Sequence, residues 1–222
     1  MESHPRIRKY WLSAVAIAGL VIAGHQWTQA RSAKSDTASR SEAEAADSFQ
    51  KKIDHIQENA KRELPDEAPT VVTENEVNAY FAQRRLKMPD GVKSVVFQFH
   101  PGKVIALTHV DFEEITKEHH SWNPLLALFS GVHDAEVVAH AKGKDGRAQV
   151  YVDSVNIDGM NVPRVALELF IEKFVNRKFP NVRLDGQYKL PAKLDTVTIG
   201  ERESTVTQKA QSAATDSDSS RR

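Results

Sequence analysis

The chain has 222 residues, carries 30 basic and 30 acidic side chains, and contains no cysteine. The lack of cysteine excludes disulfide bonds, thiolate zinc sites and cysteine nucleophiles. The balanced charge gives no electrostatic footprint for nucleic acid, so we do not expect a nucleic-acid partner.

The first feature along the chain is a single apolar run behind a basic leader. The leader, residues 1–9, contains Arg6, Arg8 and Lys9, and residues 10–27 are long enough to cross a membrane. The positive-inside rule places the leader in the cytoplasm and the rest of the chain outside. We therefore expect a single-pass signal anchor in the cytoplasmic membrane, N-terminus inside, with the C-terminal domain periplasmic or extracellular.

A cleaved signal peptide is the alternative for the same residues. Thr28-Gln29-Ala30 is an acceptable small-residue cleavage site. Trp11 and Trp27, however, are placed as interfacial anchors of a retained helix would be. The length of the run and these two tryptophans favour a retained anchor.

Three further segments lie before and after the central domain in the sequence, two of them polar and one amphipathic. Residues 28–40 and 209–222 have too little apolar surface to offset ordering entropy, which predicts a flexible tether and a disordered tail. Residues 41–64 are predicted to form a separate amphipathic helix that begins with a capping box of Ser41 and Glu44. Its narrow apolar stripe suits a helix laid against its own domain or a short dimerising stalk. The stripe consists of Phe49, Ile53, Ile56 and Ala60.

Residues 65–208 are predicted to form one α+β domain. Thr73 and Glu76 make a capping box, which is typical of a helix start. Two hairpins follow, with turn sequences at 101–102 (Pro-Gly) and 145–146 (Asp-Gly).

A long apolar helix is expected after the second hairpin, from about residue 162 to 179. Apolar residues occupy most of its faces, so we predict that it is buried on most sides. Strands at about 182–190 and 194–207 close the domain. The predicted fold is α+β, with a twisted antiparallel sheet wrapped around the long helix and preceded by the membrane anchor and the separate amphipathic helix.

The sequence contains no recognisable catalytic constellation. It lacks a nucleophile elbow, a phosphate-binding loop, a dinucleotide fingerprint and a zinc-protease motif. Five histidines lie between residues 109 and 140, and we interpret them as solvated rather than as metal ligands. We therefore predict no enzymatic activity, no metal and no cofactor.

Several strand segments are apolar on both faces, among them 95–97 and 104–107. Such a sheet needs a cover on each side, and an incomplete cover would leave a groove for an apolar ligand. An ordinary two-layer core is the alternative. Alternation predicts these groove residues: Val95, Phe97, Phe99, Leu107, Leu128, Phe129, Val138, Val150, Val152, Leu169 and Phe170.

The order of these elements also suggests a family. Within residues 70–208, a helix start at 73–81 precedes antiparallel strands, a turn at 157–163, an apolar helix and a closing strand at 190–199. This order resembles the small exported bacterial members of the tubular lipid-binding (TULIP-like) superfamily. The resemblance implies a sheet wrapped around a helix, an elongated apolar groove for lipids, attachment to a membrane and no catalytic residues.

The sequence therefore predicts a membrane-anchored envelope protein whose outer domain binds a lipid or another long apolar ligand. Its expected partners are the membrane, through the N-terminal helix, and that ligand. The alternative is a non-enzymatic envelope scaffold without a ligand. In that case, the helix at 41–64 and the apolar segment 122–129 would dock another envelope protein.

Overall fold

The computed structural model describes residues 36–116, 131–176 and 182–210. Its elements in chain order are α1 (Asp36–Lys61), β1 (Thr70–Thr73), α2 (Glu74–Ala82), β2 (Val92–His100), β3 (Lys103–Asp111), α3 (Phe112–Thr116), β4 (Val132–Lys144), β5 (Arg147–Ile157), β6 (Met160–Asn161), α4 (Arg164–Phe170), a π-helical turn (Ile171–Val175), β7 (Asp185–Lys189), β8 (Leu194–Ile199) and β9 (Glu203–Gln208).

The nine strands form one antiparallel sheet centred on β4. One path runs β1-β9-β8-β4-β3-β2, while β5 pairs with the other edge of β4 and carries β6 and β7. The long β4 strand pairs with β3 over most of its length and then meets β8 where Gly143 faces Val197. β3 and β8 therefore share one edge of β4, and the sheet divides there into two branches.

The two branches come together again near the β2–β3 turn. The backbone N–H of Gly102 in this turn donates to the carbonyl of Ile199 on β8, at 2.9 Å. The N–H of Arg202, between β8 and β9, donates to the carbonyl of Phe99 on β2, at 3.0 Å. Strands β2, β3, β4, β8 and β9 consequently surround a common space at this end of the sheet.

Local sequence accounts for both predicted hairpins, which are confirmed. β2 pairs with β3 and β4 pairs with β5 along their lengths. Gly102, Asp145 and Gly146 all have positive φ, at 71°, 53° and 70°. Asp-Gly is a favoured pair for a two-residue turn with positive φ at both positions, so this dipeptide sets the β4–β5 turn.

One face of the sheet forms the main core. A β-bulge in β5 keeps alternate side chains of this strand on that face. Ala139 faces Val152 whereas Val138 faces Ser154, so Asp153 is an extra residue in β5. The extra residue shifts the alternation, and the next buried position after Val152 is residue 155. The buried apolar side chains of the central strands are Val95, Phe97, Phe99, Val104, Ala106, Val110, Ala135, Val137, Ala139, Val152, Val155 and Ile157.

The prediction of a sheet wrapped around a long apolar helix is wrong. Within the described residues, α-helix spans Arg164–Phe170 and is followed by the π-helical turn Ile171–Val175. Residues 177–179, the end of the predicted helix, lie outside the described residues. Val165 is 68% exposed and Leu169 40% exposed, so one side of the helix faces solvent. The helix lies on the sheet through its other side, with Leu167, Ile171 and Val175 in the core and Phe170 packed against it.

Helix α1 begins earlier than predicted, and it packs against its own domain, which was the first of the two interpretations of its apolar stripe. It begins at Asp36, so the last five residues of the predicted tether are helical and Ser41 lies inside the helix rather than at its cap. Four of its apolar side chains are buried against the remainder of the structure: Ala46, Phe49, Ile53 and Ile56. The helix is therefore part of the domain that it precedes.

The predicted membrane anchor at residues 10–27 lies outside the described residues, as does the tail from residue 211. Among the helices that the structure does describe, none is both long and apolar enough to cross a membrane.

Gly143 permits the close approach of β4 and β8, which gives a test of the branched sheet. A Cβ at this position would lie 2.8 Å from the Cβ and the backbone nitrogen of Val197. We expect Gly143→Ala to lower the free energy of unfolding by about 1–3 kcal/mol because the strands must separate. Urea denaturation measures the change.

Gly200→Ala is the matched control. A Cβ at Gly200 would meet Glu203 side-chain and backbone atoms only at 3.6 Å, an ordinary contact. We expect no loss of stability for this variant. Equal effects of the two substitutions would contradict the close β4–β8 contact.

Candidate functional site

An apolar cavity of about 210 Å³ lies where the two branches of the sheet and the helices α1 and α2 meet. We call it the apolar cavity. Its walls come from α1, β1, α2, all strands from β2 to β5, β8, β9 and the segment before β8. The lining residues are Phe49, Val72, Val77, Phe81, Phe97, Phe99, Val104, Ala141, Lys142, Ala148, Val150, Leu190, Pro191, Leu194, Val197, Ile199, Ser204 and Val206.

The cavity has a closed end and an end near the surface. At the closed end Phe49, Val72 and Phe97 are buried. On the inner face of β5 the lining residues Ala148 and Val150 are half-buried. The apolar cavity therefore approaches the surface on the side of β5 and is buried beside α1.

The lining is almost entirely apolar. Ser204 and Lys142 are the only described lining residues with polar side chains, and Ser204 is buried. A buried water needs about two to four polar partners, and an apolar cavity without them stays dry and takes up apolar guests. The chemistry of this lining suits a hydrocarbon group.

Two aromatic contacts hold the helical wall of the apolar cavity. The rings of Phe49 on α1 and Tyr80 on α2 meet edge to face, with centroids 5.1 Å apart. Phe81 on α2 meets Phe97 on β2 in the same manner, also at 5.1 Å. Edge-to-face pairs are favourable for aromatic side chains, and here they fix three lining residues.

Glu76 joins α1 to α2 beside these rings. Its carboxylate accepts hydrogen bonds from Lys52 Nζ at 2.7 Å, from the Ser48 hydroxyl at 2.5 Å and from the Thr73 backbone N–H at 2.7 Å. Thr73 in turn caps α2, which confirms the predicted capping box. Burial opposes ionisation of Glu76, but the bonds from Lys52, Ser48 and Thr73 outweigh it and hold its pKa below the ordinary value.

A second polar contact fixes the other end of α1. The Asn59 side chain is 2% exposed and donates to the Gln208 side chain of β9 at 2.8 Å. Asn59 also accepts from the backbone N–H of Asp66 at 2.8 Å, and Gln208 donates to the carbonyl of Ile56 at 2.8 Å. Because these groups are buried and paired, they set the position of α1 along the sheet.

Side chains of α2 satisfy the free edge of β2. The Asn78 amide donates to the carbonyl of Phe97 at 2.8 Å and accepts from its N–H at 2.7 Å. Glu74 accepts from the N–H of Phe99 at 2.7 Å. These contacts pair backbone groups that would otherwise lie open at a strand edge, and they position two lining rings.

The predicted groove residues lie in several different places. Phe97, Phe99 and Val150 line the apolar cavity. Val95 and Val152 are buried in the core, and Phe170 packs against it. The remaining described members do not lie at the cavity: Leu107 and Val138 are half-buried on the opposite face of the sheet, and Leu169 is exposed. Leu128 and Phe129 lie outside the described residues, and a binding role for any of the set stays a prediction.

The sequence pattern does not identify most of the residues that line the apolar cavity. Val72, Val197 and Val206 come from β1, β8 and β9, which pair over long sequence distances. Alternation along 194–199 and 203–208 would indicate strands, but it does not indicate which strand lies beside them. Phe49 belongs to the apolar stripe predicted for the helix at 41–64, but the stripe does not indicate which surface of the domain it covers.

The three described histidines of the 109–140 segment each pair with an aspartate, while His119 and His120 lie outside the described residues. His133 Nδ1 lies 2.5 Å from Asp158 Oδ2, His140 Nδ1 lies 2.7 Å from Asp153 Oδ2, and His109 contacts Asp134. No group of three or more histidines and carboxylates in the described part of the chain could hold a metal ion.

Comparisons with known proteins give no relative for this chain. It matches no protein-family model, no curated protein and no solved structure. The resemblance to tubular lipid-binding proteins therefore rests on the sequence pattern alone.

The pairing of Glu76 predicts a pH-dependent loss of stability. We expect Glu76→Gln to cost about 1.5–3 kcal/mol near neutral pH, the usual worth of hydrogen bonds to a charged group. Folding lowers the pKa of Glu76, so its carboxylate contributes fully to the free energy of unfolding at pH values above the unfolded pKa of about 4.3. This contribution is lost as the pH falls through the lower pKa of the folded state. The difference in free energy of unfolding between wild type and Glu76→Gln should therefore become smaller under acid conditions.

Urea denaturation of both proteins at about pH 7 and about pH 3 measures this difference. Glu44→Gln is the control, since Glu44 is exposed on the same helix as Lys52. A difference between wild type and Glu76→Gln that does not change with pH would contradict the assigned pairing.

Proposed function

We propose that this protein binds a lipid or another apolar ligand in the apolar cavity. The observation that carries the proposal is the cavity itself, about 210 Å³ of space lined by apolar side chains. Protein interiors are close-packed, and voids larger than a water molecule are few. An unfilled apolar space of this size is therefore better suited to a guest than to a stable core.

Desolvation supplies the driving force for such binding. Each buried methylene contributes about 0.8 kcal/mol, so a chain of several methylenes binds without any polar contact. The helix α1 and the sheet already hold the walls in place through the Glu76 and Asn59 contacts. A preformed site loses less free energy to ordering when the ligand arrives.

The proposed setting is the cell envelope. Residues 10–27 would hold the domain at the cytoplasmic membrane, beside a supply of apolar ligands. In this proposal the protein is not an enzyme, and its role is to bind rather than to transform the ligand.

Filling the cavity by mutation tests the proposal. Val150 lines the cavity near its surface end and is half-buried, so a larger side chain can be accommodated there. We expect Val150→Trp to weaken binding of 1-octanol by about tenfold or more, with a nearly unchanged melting temperature. Titration of the full-length protein, followed by NMR of its methyl groups, measures the affinity.

Val96→Trp is the matched control because Val96 is a 48% exposed strand residue on the opposite face. It should bind like wild type. If Val150→Trp fails to fold, Val206→Phe on β9 makes the same test from the facing wall.

The absence of saturable binding by the wild-type protein would overturn the proposal. The scaffold function would then take its place. The face that exposes Val96, with Ile105, Leu107 and Val138 half-buried beside it, would be the first surface to examine for a partner.

A further inference from the structure

We infer that the ligand is a single-chain amphiphile whose alkyl tail enters the apolar cavity while its polar head stays in water. This inference rests on the proposed function and names the class of ligand that the same cavity takes. Three features of the cavity lead to it: its volume, the lack of polar partners inside it, and the position of its open end.

The volume limits the length of chain that can be enclosed. A dry engineered cavity of about 150 Å³ takes up benzene, which has six carbons. In proportion, the cavity of about 210 Å³ has room for roughly eight carbons. One alkyl tail fits this space, whereas the two tails of a diacyl lipid do not.

The chemistry of the lining excludes the head group from the interior. A charged or strongly polar group that leaves water must find hydrogen-bond partners, or its transfer is very unfavourable. Ser204 offers one hydroxyl inside the apolar cavity, which is too little for a carboxylate or a phosphate. The head must therefore remain at the end where the half-buried Val150 approaches the surface.

The open end sets the orientation of the ligand. The tail lies over the half-buried side chains of Ala148 and Val150 and ends at the buried rings of Phe49 and Phe97. These rings belong to α1 and β2, which are held together by α2. The closed end therefore acts as a stop for the tail.

A series of n-alkyl chains tests the inference. The probes are n-alkanols and n-alkyl carboxylates of about four to fourteen carbons, titrated into the full-length protein below their micellar concentrations. Affinity should rise roughly fourfold with each methylene until roughly eight carbons and then level off. An alkanol and a carboxylate of equal length should differ by less than about tenfold, because both heads stay in water.

A variant at the closed end of the apolar cavity should change the chain length at which affinity levels off. Phe81 lines the cavity, is half-buried and contacts Phe97, so Phe81→Leu enlarges the closed end. The plateau should shift to longer chains in this variant. Phe112→Leu is the control, since Phe112 is a buried phenylalanine outside the lining and its replacement should leave the plateau in place.

The outcomes separate this inference from the proposed function. Affinity that continues to rise beyond about twelve carbons, or a strong preference for one head group, would overturn the single-chain assignment while leaving apolar binding intact. A plateau that is the same in wild type and Phe81→Leu would also overturn it. Failure of every probe to bind would overturn the proposed function itself.

Discussion

The structure depends on the burial of α1 across the place where the two branches of the sheet meet. The inner face is apolar there, and it requires a cover to leave water. Phe49, Ile53 and Ile56 supply the apolar contact. Buried polar pairs at Glu76 and Asn59 fix where the helix lies, because any shift would leave their groups without partners.

The apolar cavity follows from the size of the side chains beneath this cover. Three neighbouring positions at the meeting point of β4, β5 and β8 are occupied by small residues: Ala141, Gly143 and Ala148. Gly143 is required for the close contact with Val197, and the two alanines line the apolar cavity without filling it. The Phe81 ring of α2 already contacts Phe97 of β2, which limits how closely α2 approaches the sheet, and Phe49 of α1 packs against Tyr80 of α2. Space therefore remains between walls that are individually well packed.

The sequence predicted features that depend on near neighbours and missed those set by distant ones. The cap at Thr73 and the turn at Asp145-Gly146 were predicted correctly because their chemistry is local. Alternation placed Leu107 and Val138 on the same face as the other predicted groove residues, whereas they lie on the opposite face of the sheet. Each belongs to an apolar run in which alternation gives no polar position to fix the register. The long helix was overpredicted because apolar residues such as Val165 were assumed to be buried.

Xenon binding shows whether α1 and the branched sheet enclose a preformed dry cavity. Xenon enters apolar cavities and requires no head group, chain or specific contact. Crystals of the protein held under xenon pressure should show bound xenon between Phe49, Phe97 and Val206, with the protein backbone unchanged. Crystals with no xenon at this position, or with ordered water in its place, would show that the apolar cavity is not a preformed dry space.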